Sequence, residues 1–123
     1  MPNHVCRYSK VFVPLKPNAL NMIDYYKGKG QNDKIRELRV DTLSQMLTFA
    51  NIRAGSRVLC VDDCAGILSL AILERTGGIG DLVCFHGSIN AGLQSVNLSN
   101  LEDNVKNSIT TYAWVSLAFY SQI

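Results

Sequence analysis

Three groups of side chains in this sequence have the types and spacing to do chemistry. The first is the turn Asp62, Asp63, Cys64, Ala65, Gly66, set between the apolar run Arg57–Val61 and a second apolar stretch. Strand, tight turn and helix in that order make a nucleotide-binding loop, whose glycines let the backbone approach a ligand closely. Here only Gly66 is bare, and two carboxylates and a thiol stand beside it. Asp62 and Asp63 also suit a quieter task, capping the following helix and complementing its positive end. The second group is His86 alone, ending the run "LVCFH"; imidazole can act as a general base, but no nucleophile accompanies it, which favours a structural role. The third is the cationic set Lys27, Lys29, Lys34, Arg36 and Arg39, residue types that contact nucleic-acid phosphates; a solvated surface explains them equally well. Neither a catalytic set nor a metal-ligand set emerges.

The elements that must position these groups are bounded by composition. The chain has 123 residues, enough for one compact domain, and is 47% apolar and 18% charged, outside the range of disordered chains. Residues 1–57 hold ten Lys or Arg against four acids, and residues 58–123 hold two against six. A basic half attracts phosphate backbone. Cysteines at 6, 60, 64 and 84 lack paired zinc spacing. Two of them fall in strands expected to be buried, where cysteine packs as a small apolar residue, which implies a reducing intracellular compartment. The longest apolar stretch, near Ile109–Tyr120, is too short to span a bilayer.

Residues 1–33 contain Pro2, Pro14, Pro17 and the polar run "KGKGQND", which predict an N-terminal edge strand, "KVFVPLKP", and an irregular connector. Apolar positions 35, 38, 43, 46, 47 and 50 predict a helix from Ile35 to about Asn51, capped by Asp33. "RVLCV" reads as a strand covered on both faces, Gly66–Arg75 as a helix stopped by the adjacent glycines, and "LVCFH" as the next strand. Strand, helix and strand within about thirty residues form a βαβ unit. A weak helix is expected around Leu93–Asp103 and a strand in "ITTYAWVSLAFY", whose Tyr112, Trp114, Phe119 and Tyr120 are assigned to a core or subunit interface in preference to base stacking. The fold class is therefore α/β, a partial Rossmann-like parallel sheet with flanking helices. About three strands are countable where a doubly wound sheet has five or more, which implies a longer parent chain or a subunit covering the open edge.

The segment "KIRELRVDTLSQMLTFANIRAGSRVLCVDDCAGILSLAILERTGG", Lys34 to Gly78, resembles the non-catalytic subunit of eukaryotic tRNA (adenine-58-N1) methyltransferase. The helix after Lys34, the "GSRVL" strand ending in paired aspartates and the "LERTGG" helix end carry the likeness. "VFVPLKPN" is similar to the family's passage from its N-terminal β-rich domain, so the resemblance covers about residues 10–87. It implies a division into an N-terminal strand and connector, 1–33, and a truncated methyltransferase-like domain, 34–123. It also implies a Rossmann-like domain without its own chemistry, paired as a hetero-oligomer with a catalytic subunit that binds S-adenosylmethionine. The complex methylates N1 of adenine 58 in tRNA, in the nucleus, and the non-catalytic partner supplies structure and tRNA-binding surface.

Set against a class I methyltransferase loop, the turn fits two registers. Either Cys60 stands at the acidic position, with Asp62 and Cys64 replacing glycines, or Asp62 is the acid, with Cys64 and Leu68 replacing glycines. Each bulky replacement costs about 1–3 kcal/mol if the glycine conformation is kept. Repulsion between the aspartates and the methionine carboxylate adds up to about 4 kcal/mol at 4 Å and a dielectric of 20. The acid expected at the end of the second strand to bind ribose is replaced by His86 and Gly87. These terms predict no cofactor. Two other readings stay open: a small active Rossmann-type methyltransferase or nucleotide-dependent enzyme, and a truncated product whose tail after Gly87 does not complete the sheet.

Overall fold

A computed structural model describes residues 12–87 and 93–114. The first helix, α1 (Ala19–Gly28), occupies the stretch expected to be an irregular connector. Its cause is local. Asn18 caps the helix by accepting from the Asn21 amide at 2.8 Å, and Ala19, Met22, Ile23 and Tyr26 recur at helical spacing and are all buried. The prolines precede this helix and so do not interrupt it. Phe12–Pro17, by contrast, forms no strand, and Phe12, Val13 and Leu15 are exposed. The rest of the expected edge strand, residues 10 and 11, lies outside the described residues.

A 3₁₀ turn (Asn32–Ile35) follows, then α2 (Val40–Phe49). The expected single helix from Ile35 does not form, because Arg36 and Glu37 adopt φ of 53° and 55° and break the path. Asp33 therefore sits inside the 3₁₀ turn, and Arg39 takes the N-cap position, bonded to Asp41 at 3.0 and 2.9 Å. β1 (Arg57–Val61), α3 (Ile67–Thr76) and β2 (Asp81–His86) form the βαβ unit close to the expected bounds. The single expected helix after residue 93 is two short ones, α4 (Gln94–Leu98) and α5 (Asp103–Lys106). β3 (Ile109–Ala113) completes a parallel sheet of order β1-β2-β3.

The fold is thus α/β, a three-stranded parallel sheet flanked by helices, as expected. α3 packs on β2, while α1 and α4 pack on α3. Two long-range bonds tie these layers: Tyr26 Oη donates to Gln94 Oε1 at 3.2 Å, and the Ala19 amide donates to both Glu74 carboxylate oxygens at 3.3 Å. That places a negative charge at the positive end of α1. Burial pushes the Glu74 carboxyl above its usual range, against the pull of Ala19 and Lys16. Side chains alternate across each strand, so Cys60, Leu82 and Cys84 enter the core with Ile67, Leu70 and Leu73 of α3. The opposite face is open: Leu59 is 72% and Val61 53% exposed. β1 was expected to be covered on both faces, but it is an edge strand with a layer on one side only.

Candidate functional site

The turn after β1 lies at the carboxyl ends of the strands, where open α/β sheets bind ligands. Asp62 continues the alternation of Cys60 and turns inward, 1% exposed. Its Oδ1 accepts from the Cys64 amide at 2.9 Å; its Oδ2 accepts from the Ser69 amide and the Ser69 hydroxyl, both at 2.8 Å. Ser69 is in the first turn of α3, and the N-cap residue Gly66 offers no side chain. Asp62 therefore satisfies the helix start from outside the helix, the capping role foreseen for it.

Positive φ falls on Ala65 at 54° and Gly66 at 81°, and neither Asp62 nor Cys64 adopts it. The strain anticipated for bulky residues in glycine conformations is absent at those two positions, because the tight bend has moved to the two residues before α3. The bend is pinned by bonds from the Ser95 amide to the Ala65 carbonyl and from the Ile67 amide to the Cys64 carbonyl, each 3.0 Å.

Asp63 points the other way, out of the core, and meets Arg36: the guanidinium donates to Asp63 Oδ2 through Nε at 2.8 Å and again through Nη2. Of the five basic candidates, Arg36 alone is bonded to the loop. Lys34 lies on the 3₁₀ turn, Arg36 immediately after it and Arg39 at the start of α2, so the three do not share the helix face expected of them. Lys27 is exposed in the last turn of α1 and Lys29 is its C-cap, with Nζ 5.9 Å from the Tyr25 ring centroid. The five residues follow one strip of chain from the end of α1 to the start of α2.

Strand register also gathers what spacing did not reveal. Cys60 and Cys84 are Cα partners across β1 and β2, and their sulfurs and the Asp62 carboxylate lie within 4.8 Å of one another. Ser69 Oγ is 3.2 Å from Cys84 Sγ. The hydrogen bond to Cys84 and burial hold the Cys60 thiol far above its ordinary range. Asp62 already accepts three hydrogen bonds, which makes this trio a packed polar knot under the loop. Cys64 is half-buried, and burial, Asp62 and Asp63 push its thiol up while Arg36 opposes them. His86 ends β2 half-buried, its Nδ1 without a hydrogen-bond partner among the described residues. Tyr112 and Trp114, assigned from sequence to core or interface, are 48% and 45% exposed in this chain. The core is filled by α3 and β2, and these rings stand on the sheet's open face and carboxyl rim. Phe119 and Tyr120 lie outside the described residues.

Among the described residues no helix is long and apolar enough to cross a membrane. The Gcd10p family profile matches residues 5–122. The tRNA (adenine(58)-N(1))-methyltransferase non-catalytic subunit TRM6 of Mus musculus is 38% identical over 79 residues, 63% of this chain and 15% of the relative. The corresponding non-catalytic subunit of Dictyostelium discoideum is 34% identical over 103 residues, 84% of this chain and 20% of the relative. That of Eremothecium gossypii is 27% identical over 103 residues, 79% and 22%. The chain thus spans about a fifth of the length of these relatives. The profile match continues past Gly87, where the sequence resemblance was expected to stop, and takes in β3. An α/β chain matched over nearly its whole length in this way belongs to the Gcd10p family.

Proposed function

We propose that this chain is part of a non-catalytic, tRNA-binding and scaffolding subunit of the tRNA N1-methyladenosine methyltransferase acting at position 58. It works beside a catalytic subunit in a nuclear hetero-oligomer and takes no cofactor of its own. The observation that carries the reading is the packing of the turn Asp62–Gly66. S-adenosylmethionine does not suit the residues there. The Asp62 side chain fills the space beneath the loop and is committed to α3. The Arg36–Asp63 pair stands on the loop's outer side, and β2 ends in His86 and Gly87 without a carboxylate for ribose hydroxyls. Losing those charge-assisted bonds alone forfeits about 1.5–3 kcal/mol, a factor of roughly ten to a hundred in affinity.

Calorimetric titration with S-adenosylmethionine should give no saturable heat; micromolar binding would overturn the reading. Co-expression with the catalytic subunit, followed by size exclusion and a tRNA methylation assay, should give a co-eluting complex that is active only with both proteins. Methylation by this chain alone would restore the small-enzyme alternative.

A further inference from the structure

The open face of the sheet ends, at its carboxyl edge, in aromatic rings. Register makes Val61, Phe85 and Tyr112 neighbours in one row across the three strands. The Phe85 and Tyr112 rings stack with centroids 5.5 Å apart at 27°, and Trp114, next in chain after Ala113, lies 6.0 Å from Phe85 at 35°. Tyr112 and Trp114 keep nearly half their surface in water, an unfavourable state for large ring faces. Gly87 separates them from the loop: a Cβ built there would stand 3.5 Å from Trp114 Cδ1 and 3.7 Å from Asp63 Oδ1. The loop carboxylate therefore borders the ring shelf. Both Arg36 bonds fall on Asp63 Oδ2, so Oδ1 keeps its acceptor capacity, and the guanidinium retains donors beyond the two it uses.

We propose that this corner is a single-nucleotide subsite. Tyr112 and Trp114 stack against one unpaired RNA base, Asp63 Oδ1 accepts from a base N–H, and the remaining Arg36 donors face the flanking phosphate. The assignment rests on the tRNA-binding reading above and adds the place and the ligand class. Flat exposed rings bordered by an in-plane acceptor and a cation match an unstacked base and its backbone. A protein surface would have to desolvate the Arg36–Asp63 pair in covering them. The same base chemistry occurs in a free nucleoside, so the test separates the two sources.

Trp114 is the chain's single tryptophan, and its fluorescence reports the site directly. Titration of the 123-residue chain with single-stranded oligoadenylate should quench that fluorescence saturably. Tyr112→Ala should weaken the apparent affinity at least about fivefold, the lower end for one base stack, while Tyr112→Phe, which keeps the ring, should restore it. Adenosine and S-adenosylmethionine at equal base concentration should quench far less; equal quenching would reassign the shelf to a free nucleoside and overturn the RNA assignment. If filter binding shows salt-dependent tRNA association while Trp114 stays unquenched, the subsite is wrong and the subunit reading stands. Absence of tRNA association with the catalytic partner present would sink both.

Discussion

Arg36 and Asp63, twenty-seven residues apart, are joined by two hydrogen bonds to one carboxylate oxygen. The pair couples the strip of basic residues to the loop after β1, and both side chains are more than half exposed. Exposed pairs contribute at most about 1 kcal/mol. A double-mutant cycle with Arg36→Ala and Asp63→Asn in urea unfolding should return a coupling within that limit, shrinking as salt is raised. On the proposed function, Asp63→Asn alone should strengthen tRNA binding, because it frees a guanidinium for phosphate. The slope of log affinity against log salt should steepen by about 0.7, the increment for one added phosphate contact on a single strand. An unchanged slope would mean that Arg36 does not face RNA.

Asp62 is bound to the fold more tightly than to any ligand role. Replacing it by alanine leaves the Cys64 and Ser69 amides and the Ser69 hydroxyl without their acceptor in a dry site. Each orphaned buried group costs about 1–3 kcal/mol. Asp62→Ala should therefore lose about 2–5 kcal/mol in chemical denaturation, a large share of a small domain's stability. Asp62→Asn, which keeps an acceptor oxygen, should lose less. A neutral Asp62→Ala would contradict the capping role.

Two backbone sites should respond in opposite directions. Ala65 holds φ of 54°, a conformation that penalises a Cβ by about 1–2 kcal/mol. The added chain entropy of glycine offsets about 0.5–1 of that, so Ala65→Gly should stabilise by about 0.5–1 kcal/mol. Gly80 holds φ of 117°, and a Cβ there would overlap the Ser56 carbonyl oxygen. Gly80→Ala must shift backbone where β2 begins, and should lower stability by at least about 3 kcal/mol. Thermal unfolding midpoints of the two variants should fall on either side of the parent.

Cys64 should show the electrostatics of the loop in its reactivity. Its thiol is held up by burial, Asp62 and Asp63 and held down by Arg36. In a Cys6→Ser background, iodoacetamide should modify Cys64 before the buried Cys60 and Cys84, with a pH midpoint above that of a free thiol, about 8.5. Asp63→Asn should move that midpoint down and Arg36→Ala should move it up. A raised folded pKa also means that this thiol's stability contribution is complete below the unfolded value and is lost as pH rises through the folded one.

Much of the central unit was legible from residue order. The strands at Arg57–Val61 and Asp81–His86 and the helix between them follow from β-branched runs, a helical apolar pattern and a glycine stop, all local signals. α1 was legible too, in Asn18 and the buried positions 19, 22, 23 and 26, but prolines and the polar run around it drew the reading toward a connector. The break before α2 was not legible. Nothing in the types of Arg36 and Glu37 announces left-handed backbone, which is imposed where Arg36 reaches Asp63 and Ile35 enters the core.

Residue order by itself determined the α/β class, the family and the absence of glycines from the turn, because each depends on neighbours in the chain. Only the tertiary structure decided which aspartate enters the core and which meets Arg36, that Cys60 faces Cys84, and that aromatic rings border the loop. Those relationships come from strand register and from α3 lying on one face of the sheet. A parallel pairing turns positions 60 and 84, or 85 and 112, into neighbours that no local pattern encodes.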